Sequence, residues 1–271
     1  MPELPEVETT RRGIAPLVEG KTIVSVVTRV VGLRWPFPPH LGAILAGRTI
    51  YTVERRAKYL LLRCDGGTLI LHLGMTGHLR VVSPRVPPGC HDHVDLVFAD
   101  GSCLRFNDSR RFGALLWTSD DPALHPLLAG LGPEPFDEAM SGERLYRLSR
   151  GRKNAVKPYI MDQRILVGVG NIYASEALFR AGIDPARAAG RVGLVRYRRL
   201  TAAIREVLDA AIAAGGTTIR DFSDSEGRPG YFAIQLQVYG RTGEPCLHCG
   251  EAIRQRRLGQ RSTYFCRFCQ H

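Results

Sequence analysis

The last 26 residues carry Cys246-Leu247-His248-Cys249, then sixteen intervening residues, then Cys266-Arg267-Phe268-Cys269. Two CxxC knuckles at this separation can fold a short β-ribbon around one tetrahedral zinc ion, because four thiolates complete its coordination. A catalytic zinc would need a position open to water or substrate. The pattern therefore predicts one structural Zn2+ held by Cys246, Cys249, Cys266 and Cys269. The remaining cysteines, Cys64, Cys90 and Cys103, are scattered through the first half and read as reduced thiols. No apolar run approaches the roughly 18 residues of a membrane span, and the start of the chain lacks the pattern of a secretory signal. A cytoplasmic protein with no membrane partner is expected.

The ribbon segment is basic. Residues 241–271 contain six Arg and two Glu, so it stays net positive after the roughly −2 of a zinc–tetrathiolate centre. Arg254, Arg256, Arg257 and Arg261 fall on or beside the expected hairpin, where forked guanidinium groups suit phosphate oxygens. The whole chain has a formal charge of +11 and a pI near 9.7. That balance favours a polyanion over an acidic small molecule, with nucleic acid first. Charge alone does not separate a DNA-binding protein from one with a generally basic surface.

A chain of 271 residues is long enough for two cores. From Ile23 to Leu116 it is dominated by short β-type runs, among them TIVSVVTRVV, YLLLRC, TLILHLGM, VDLVF and CLRF. This half reads as a sandwich or barrel. GLGPEPFDEA breaks the pattern and reads as a linker. Helical periodicity follows over Ser141–Leu148, ASEALFRAGI and Val192–Ala214, the last closed by Gly215 and Gly216. The expected divisions are 1–130, a linker at 131–140, a helical part at 141–236 and a finger at 237–271. The opening MPELPEVETT reads as a short helix that Arg11, Arg12 and Gly13 bring to a stop.

In order along the chain, PELPEVET, RRAKYLL, HLGMTG, NDSRRFGA, KPYIMDQRILVGVGNIYASEALF, GGTTIRDF, GRPGYF, VYGRTGEPC and the four-cysteine ribbon resemble the formamidopyrimidine-DNA glycosylase and endonuclease VIII family. The resemblance spans essentially the whole chain. It implies an α+β multidomain protein: an N-terminal β-sandwich, a C-terminal helical domain with a helix–two turns–helix element, and a zinc ribbon. It also implies base-excision repair of oxidised purines, 8-oxoguanine and formamidopyrimidines, in double-stranded DNA, with strand cutting by β,δ-elimination. A monomer associated with the bacterial nucleoid is expected.

Proline suits removal of Met1, which would expose the secondary amine of Pro2. An α-amino group titrates near ~8 against ~10.4 for lysine, so a usable fraction is unprotonated at neutral pH. Attack on the sugar C1′ would expel the base and leave a Schiff-base iminium, an electron sink for loss of the C2′ proton. The resemblance assigns Pro2 that nucleophilic role, Glu3 the proton transfer at the sugar, and Lys58 a phosphate contact that assists catalysis. Glu6 and Lys157 resemble supporting residues of the active site.

An enzyme acting under a base must flip the nucleotide out and fill the gap. The family's gap-filling Met, Arg and Phe fall at Met75, Arg110 and Phe112. Taken singly, Met75 and Phe112 would read as ordinary core residues. Backbone contacts are expected from His72, Arg111, Asn171 and Arg261, and base contacts from Thr217, Thr218 and Tyr231 in a glycine-rich loop. Glu176 reads as a cap or orienting residue. GVGNIY is not a dinucleotide fingerprint, because Tyr173 stands at the third glycine position. Ser109 and Ala233 depart from the family's usual Pro and Gln, which bears on loop geometry rather than chemistry. Two other readings stay open: an oxidised-pyrimidine glycosylase like endonuclease VIII, and a zinc-ribbon protein that binds damage without cutting. The Met–Arg–Phe trio argues against the first, and Pro2, Glu3 and Lys58 against the second.

Overall fold

The computed structural model describes residues 2–83, 85–215 and 236–271. Residues up to Ala129 form one compact unit, and residues 130–213 with 236–271 form another. Among the described residues, no helix is long and apolar enough to cross a membrane.

The first unit opens with α1, Leu4–Val18. Glu6 Oε2 accepts from Glu3 N at 2.7 Å, satisfying one of the amides that a helix start leaves over. The sequence reading stops this helix at Gly13, and the structure overturns that. Ile14, Ala15 and Val18 lie in the core, and their burial outweighs the ~1 kcal/mol that a mid-helix glycine costs. Pro16 then removes an intrahelical bond, and the helix ends two residues later.

Eight strands follow: β1 (Ile23–Thr28), β2 (Ile50–Arg56), β3 (Tyr59–Cys64), β4 (Gly67–His72), β5 (His78–Val82), β6 (Asp92–Phe98), β7 (Cys103–Asn107) and β8 (Ala114–Thr118). A short helix, α2 (Leu41–Leu45), separates β1 from β2. The strands form two antiparallel sheets, in the orders β1-β6-β7-β5 and β2-β3-β4-β8. Alternate residues Leu60 and Leu62 of β3 and Leu69 and Leu71 of β4 meet Leu96, Phe98, Leu104 and Phe106 of the other sheet. Val7, Ile14 and Val18 of α1 join the same core. The period-two pattern thus builds the expected sandwich. Arg105 is only 2% exposed. It pairs with Asp95 at 2.8 and 3.0 Å and donates to Val86 O at 3.0 Å, as a buried cation requires.

The second unit begins with the irregular segment 130–141, which Arg205 fixes by donating to Pro135 O, Asp137 O and Met140 O at 2.9, 3.0 and 2.8 Å. Ser141 caps α3 (Gly142–Ser149), accepting from Arg144 N at 3.2 Å. Then come α4 (Val156–Ile160), a turn-rich connection, α5 (Asn171–Arg180) and α6 (Leu194–Ala213). α4 and α5, with turns between them, follow the helix–turns–helix order expected of this part of the chain. Tyr197, Leu200, Ile204, Leu208 and Ala211 make the buried stripe of α6. Gly215, at φ +79°, follows the helix end.

Hairpin β9 (Arg254–Leu258) and β10 (Arg261–Phe265) completes the unit, turning at Gly259. Cys246 and Cys266 pack with Phe179, Val238 and Ile253. The four sulfurs lie within 4.8 Å of one another, with Cys246–Cys269 at 3.9 Å and Cys249–Cys266 at 3.5 Å. A tetrahedron with Zn–S bonds of about 2.3 Å has edges of about 3.8 Å, so the donor set fits one structural zinc. Metal content and thermal melting check this. Wild type should carry one zinc per chain, and Cys249→Ala should lose it and melt at least ~5 °C lower.

Candidate active site

Pro2, Glu3 and Glu6 are buried at the start of α1. Glu8, one turn further on, anchors the helix to the sheet. It accepts from Arg11 and Arg12, and Arg55 Nε at the end of β2 reaches it at 3.2 Å. Burial alone would raise the Glu8 carboxyl, but the three arginines outweigh it and hold the group below its ordinary value. Arg55 also donates to Ala57 O at 3.0 Å. The β2–β3 turn is thereby fixed beside the first turns of α1. Ala57 takes a left-handed conformation, φ +54°, and the next residue is Lys58, which is largely buried.

His72 closes this cluster. It pairs with Tyr59 across the sheet, and the two rings stand 4.8 Å apart. Its Nδ1 accepts from Gly74 N at 3.0 Å, so a neutral ring carries its proton on Nε2 and presents a donor there. Burial, then the charges of Lys58 and Arg34, push the ring down to about 4. The structure therefore brings Pro2, Glu3, Glu6, Lys58 and His72 to one region of the first unit.

The loops 73–77 and 108–113 carry the expected gap-filling residues and run backbone against backbone. A Cβ on Gly74 would stand 2.4 Å from Gly113 N, so only glycine fits. Arg110 stacks on Phe112 at 4.8 Å. Phe112 is 42% exposed, and Arg110 and Arg111 are exposed as well. That exposure rules out the core reading of Phe112. Met75 is half-buried on the adjacent loop. Sequence reasoning misses what joins these loops, Asp108 and Thr76. Their sole signal is a turn-type residue in a glycine-ended loop, which most loops share.

The second unit holds the other candidates. Lys157 is 1% exposed and donates to Asn171 Oδ1 at 2.7 Å, Thr263 Oγ1 at 3.0 Å and Ser262 O at 3.1 Å. It thus joins α4, the start of α5 and the ribbon hairpin next to Arg261. Glu176 accepts from the amides of Gln237, Val238 and Tyr239 at 2.8, 3.0 and 2.8 Å, and burial still raises its carboxyl above the ordinary value. It orients backbone, in line with the cap reading. Of the hairpin arginines, Arg256 is committed to Asp184 and to the face of Phe265, whereas Arg254, Arg257 and Arg261 are exposed. Thr217, Thr218 and Tyr231 lie outside the described residues.

A ring held at about 4 against an ordinary 6.5 takes up its proton more readily in the unfolded chain. The stability owed to neutral His72 is therefore complete above ~pH 6.5 and drains away as the pH falls towards 4. Denaturation at pH 7 and pH 5 should show a larger loss for wild type than for His72→Gln. An NMR titration of the His72 ring with a midpoint at or above 6.5 would contradict the assigned environment.

Three known domain profiles match this chain: the formamidopyrimidine-DNA glycosylase N-terminal domain over residues 1–115, the H2TH domain of the same enzyme over 131–223, and a zinc finger found in FPG and IleRS over 243–271. The formamidopyrimidine-DNA glycosylase of Alkalilimnicola ehrlichii is 64% identical over 276 residues, covering 100% of both chains. Among solved structures, a variant of the Lactococcus lactis Fpg in complex with Fapy-dG-containing DNA superposes with a TM-score of 0.93 at 35% identity, covering 99% of each chain. The MutM (Fpg) protein of Thermus thermophilus gives a TM-score of 0.88 at 42% identity, covering 99% of this chain and 98% of that one. Sandwich, two-turn helical element, ribbon and the order of their motifs agree with full-length likeness at this level, and the chain belongs to the formamidopyrimidine-DNA glycosylase family.

Proposed function

We propose that this chain is a bifunctional DNA glycosylase and abasic-site lyase that excises oxidised purines, chiefly 8-oxoguanine and formamidopyrimidines, from double-stranded DNA. The observation that carries the reading is the pairing of Pro2 with Glu3 in a buried, helix-anchored position, with Lys58 on the turn fixed beside the same helix. After removal of Met1, the nitrogen of Pro2 attacks C1′ of the damaged nucleotide. The bond from C1′ to the base breaks, and the base leaves with its electron pair and takes up the proton that the Pro2 nitrogen sheds on forming its new bond. Glu3 passes a proton to the ring oxygen, which opens the sugar. The resulting iminium draws electrons from the C2′–H bond as that proton is lost, so the 3′-phosphate leaves by β-elimination; loss of a second proton, from C4′, into the conjugated iminium expels the 5′-phosphate by δ-elimination, and water hydrolyses the remaining iminium to free Pro2. Lys58 and neutral His72 hold the flanking phosphates, one as a cation and the other as an Nε2 donor.

Met75, Arg110 and Phe112 enter the vacated space. A flexible thioether, a planar cation and an aromatic wedge suit an unstacked duplex. Arg111, Asn171 and Arg261 bind backbone, with Glu6 and Lys157 in support, and Thr217, Thr218 and Tyr231 face the flipped base. The enzyme works as a monomer on chromosomal DNA in the bacterial cytoplasm. Zinc builds the ribbon that presents Arg261 and takes no part in bond making.

Borohydride reduction in the presence of 8-oxoguanine duplex should trap one covalent protein–DNA adduct, mapped by mass spectrometry to Pro2. Pro2→Gly should trap at least tenfold less. Equal trapping would assign the nucleophile elsewhere, and no trapping by wild type would leave a damage-binding protein.

A further inference from the structure

We propose that Asp108 is the positioning residue that holds the three gap-filling side chains in mutual register, acting through Thr76 and Gly113. The inference rests on the gap-filling role given above to Met75, Arg110 and Phe112. Asp108 is 0% exposed, and both of its carboxylate oxygens are used. Oδ1 accepts from the Thr76 hydroxyl at 2.6 Å, and Oδ2 accepts from Gly113 N at 2.7 Å. Thr76 Oγ1 in turn accepts from Arg110 N at 3.1 Å. One side chain therefore grips the neighbour of Met75, the neighbour of Phe112 and, through one hydroxyl, the amide of Arg110.

The backbone of Asp108 is held just as firmly. Its amide donates to His91 O at 3.0 Å, and its carbonyl accepts from His93 Nε2 at 2.9 Å and from Arg111 N at 3.3 Å. His93 is itself buried in β6, so the anchor stands on the sheet rather than on another loop. Gly113 is required at the far end, since a Cβ there would stand 2.9 Å from Asp108 Oδ2 and 2.8 Å from His72 O. The three gap-filling side chains reach outward from a base that permits them little independent movement, which places Arg110 where it can meet an orphaned base.

The carboxylate chemistry is specific. It accepts on both sides, whereas an amide of the same size must turn a donor to one of them. In Asp108→Asn the oxygen serves Gly113 N–H, and the NH2 faces Thr76 Oγ1, which already accepts from Arg110. The Thr76 hydroxyl proton then has no acceptor, and a neutral NH2 contact to the remaining lone pair of Oγ1 replaces the 2.6 Å bond to a carboxylate, so loop 73–77 is held less tightly while the sheet anchor stays.

The test compares two substrates. Excision of 8-oxoguanine from duplex requires the gap to be filled, and cleavage of an abasic site in single-stranded DNA does not. Asp108→Asn should lose at least tenfold in the first and change less than twofold in the second. With 2-aminopurine opposite an abasic analogue in duplex, the fluorescence change that wild type produces on binding should fall by more than half. Thr76→Val, which keeps volume and removes the hydroxyl, should reproduce both effects, and the double variant should be no worse than Asp108→Asn alone. Equal losses on both substrates, no loss on duplex, or additive effects of the two substitutions would each overturn the inference. Failure of wild type to cut either substrate would instead bring down the functional reading, and the inference with it.

Discussion

Chain termini are normally the least ordered part of a protein, so the nucleophilic role proposed for Pro2 demands an unusually firm mount. The structure supplies it in three layers. Leu4 and Val7 are fully buried, the Glu6 carboxylate receives the Glu3 amide, and Glu8 ties the helix to Arg55 on β2. The same Arg55 fixes the turn that presents Lys58. Positioning of Pro2 and of Lys58, the residues proposed as nucleophile and phosphate contact, is therefore one problem with one solution. This also explains why α1 outlasts Gly13: a helix stopping there would leave Ile14 and Val18 unburied and the mount short of its core contacts.

Much of this was legible in the sequence, for identifiable reasons. Metal ligands are marked by spacing, and the four cysteines converge as the knuckles require. Helices α3 and α6 carry strong periodicity with a serine cap at one and a glycine stop at the other. The quoted apolar runs fall on β1, β3, β4, β6 and β7. β2 and β5 were harder to see, because YTVERR and HLRVV mix charged residues with apolar ones. Asp108 and Thr76 could not be found from sequence at all. Their importance arises from two loops 32 residues apart meeting through a carboxylate, and nothing local encodes that.

The positive charge shows the same limit. A formal +11 signals a polyanion, yet many arginines are structural. Arg29 and Arg105 share Asp95, Arg205 gathers three carbonyls, and Arg256 holds Asp184. Arg110 and Arg111 on a loop and Arg254 and Arg261 on the hairpin remain exposed. Composition counts both classes alike, and only burial separates the cations that hold the fold from those offered to phosphate.

The zinc ribbon and the helical element are joined by a feature easily mistaken for catalytic chemistry. A buried lysine has three protons to place, and Lys157 places them on Asn171 Oδ1, Thr263 Oγ1 and Ser262 O. Taking the Asn171 oxygen fixes that amide's orientation, with its NH2 end as the donor, 3.5 Å from the Tyr239 hydroxyl. The same ammonium bonds β10 one and two residues beyond Arg261. Metal, hairpin and helix start thus form a continuous chain of contacts, in which zinc sets the ribbon, the ribbon supplies the acceptors for Lys157, and Lys157 sets Asn171. A structural metal can in this way govern how Asn171 and Arg261, the residues proposed to bind phosphate, are presented, without contributing any chemistry of its own.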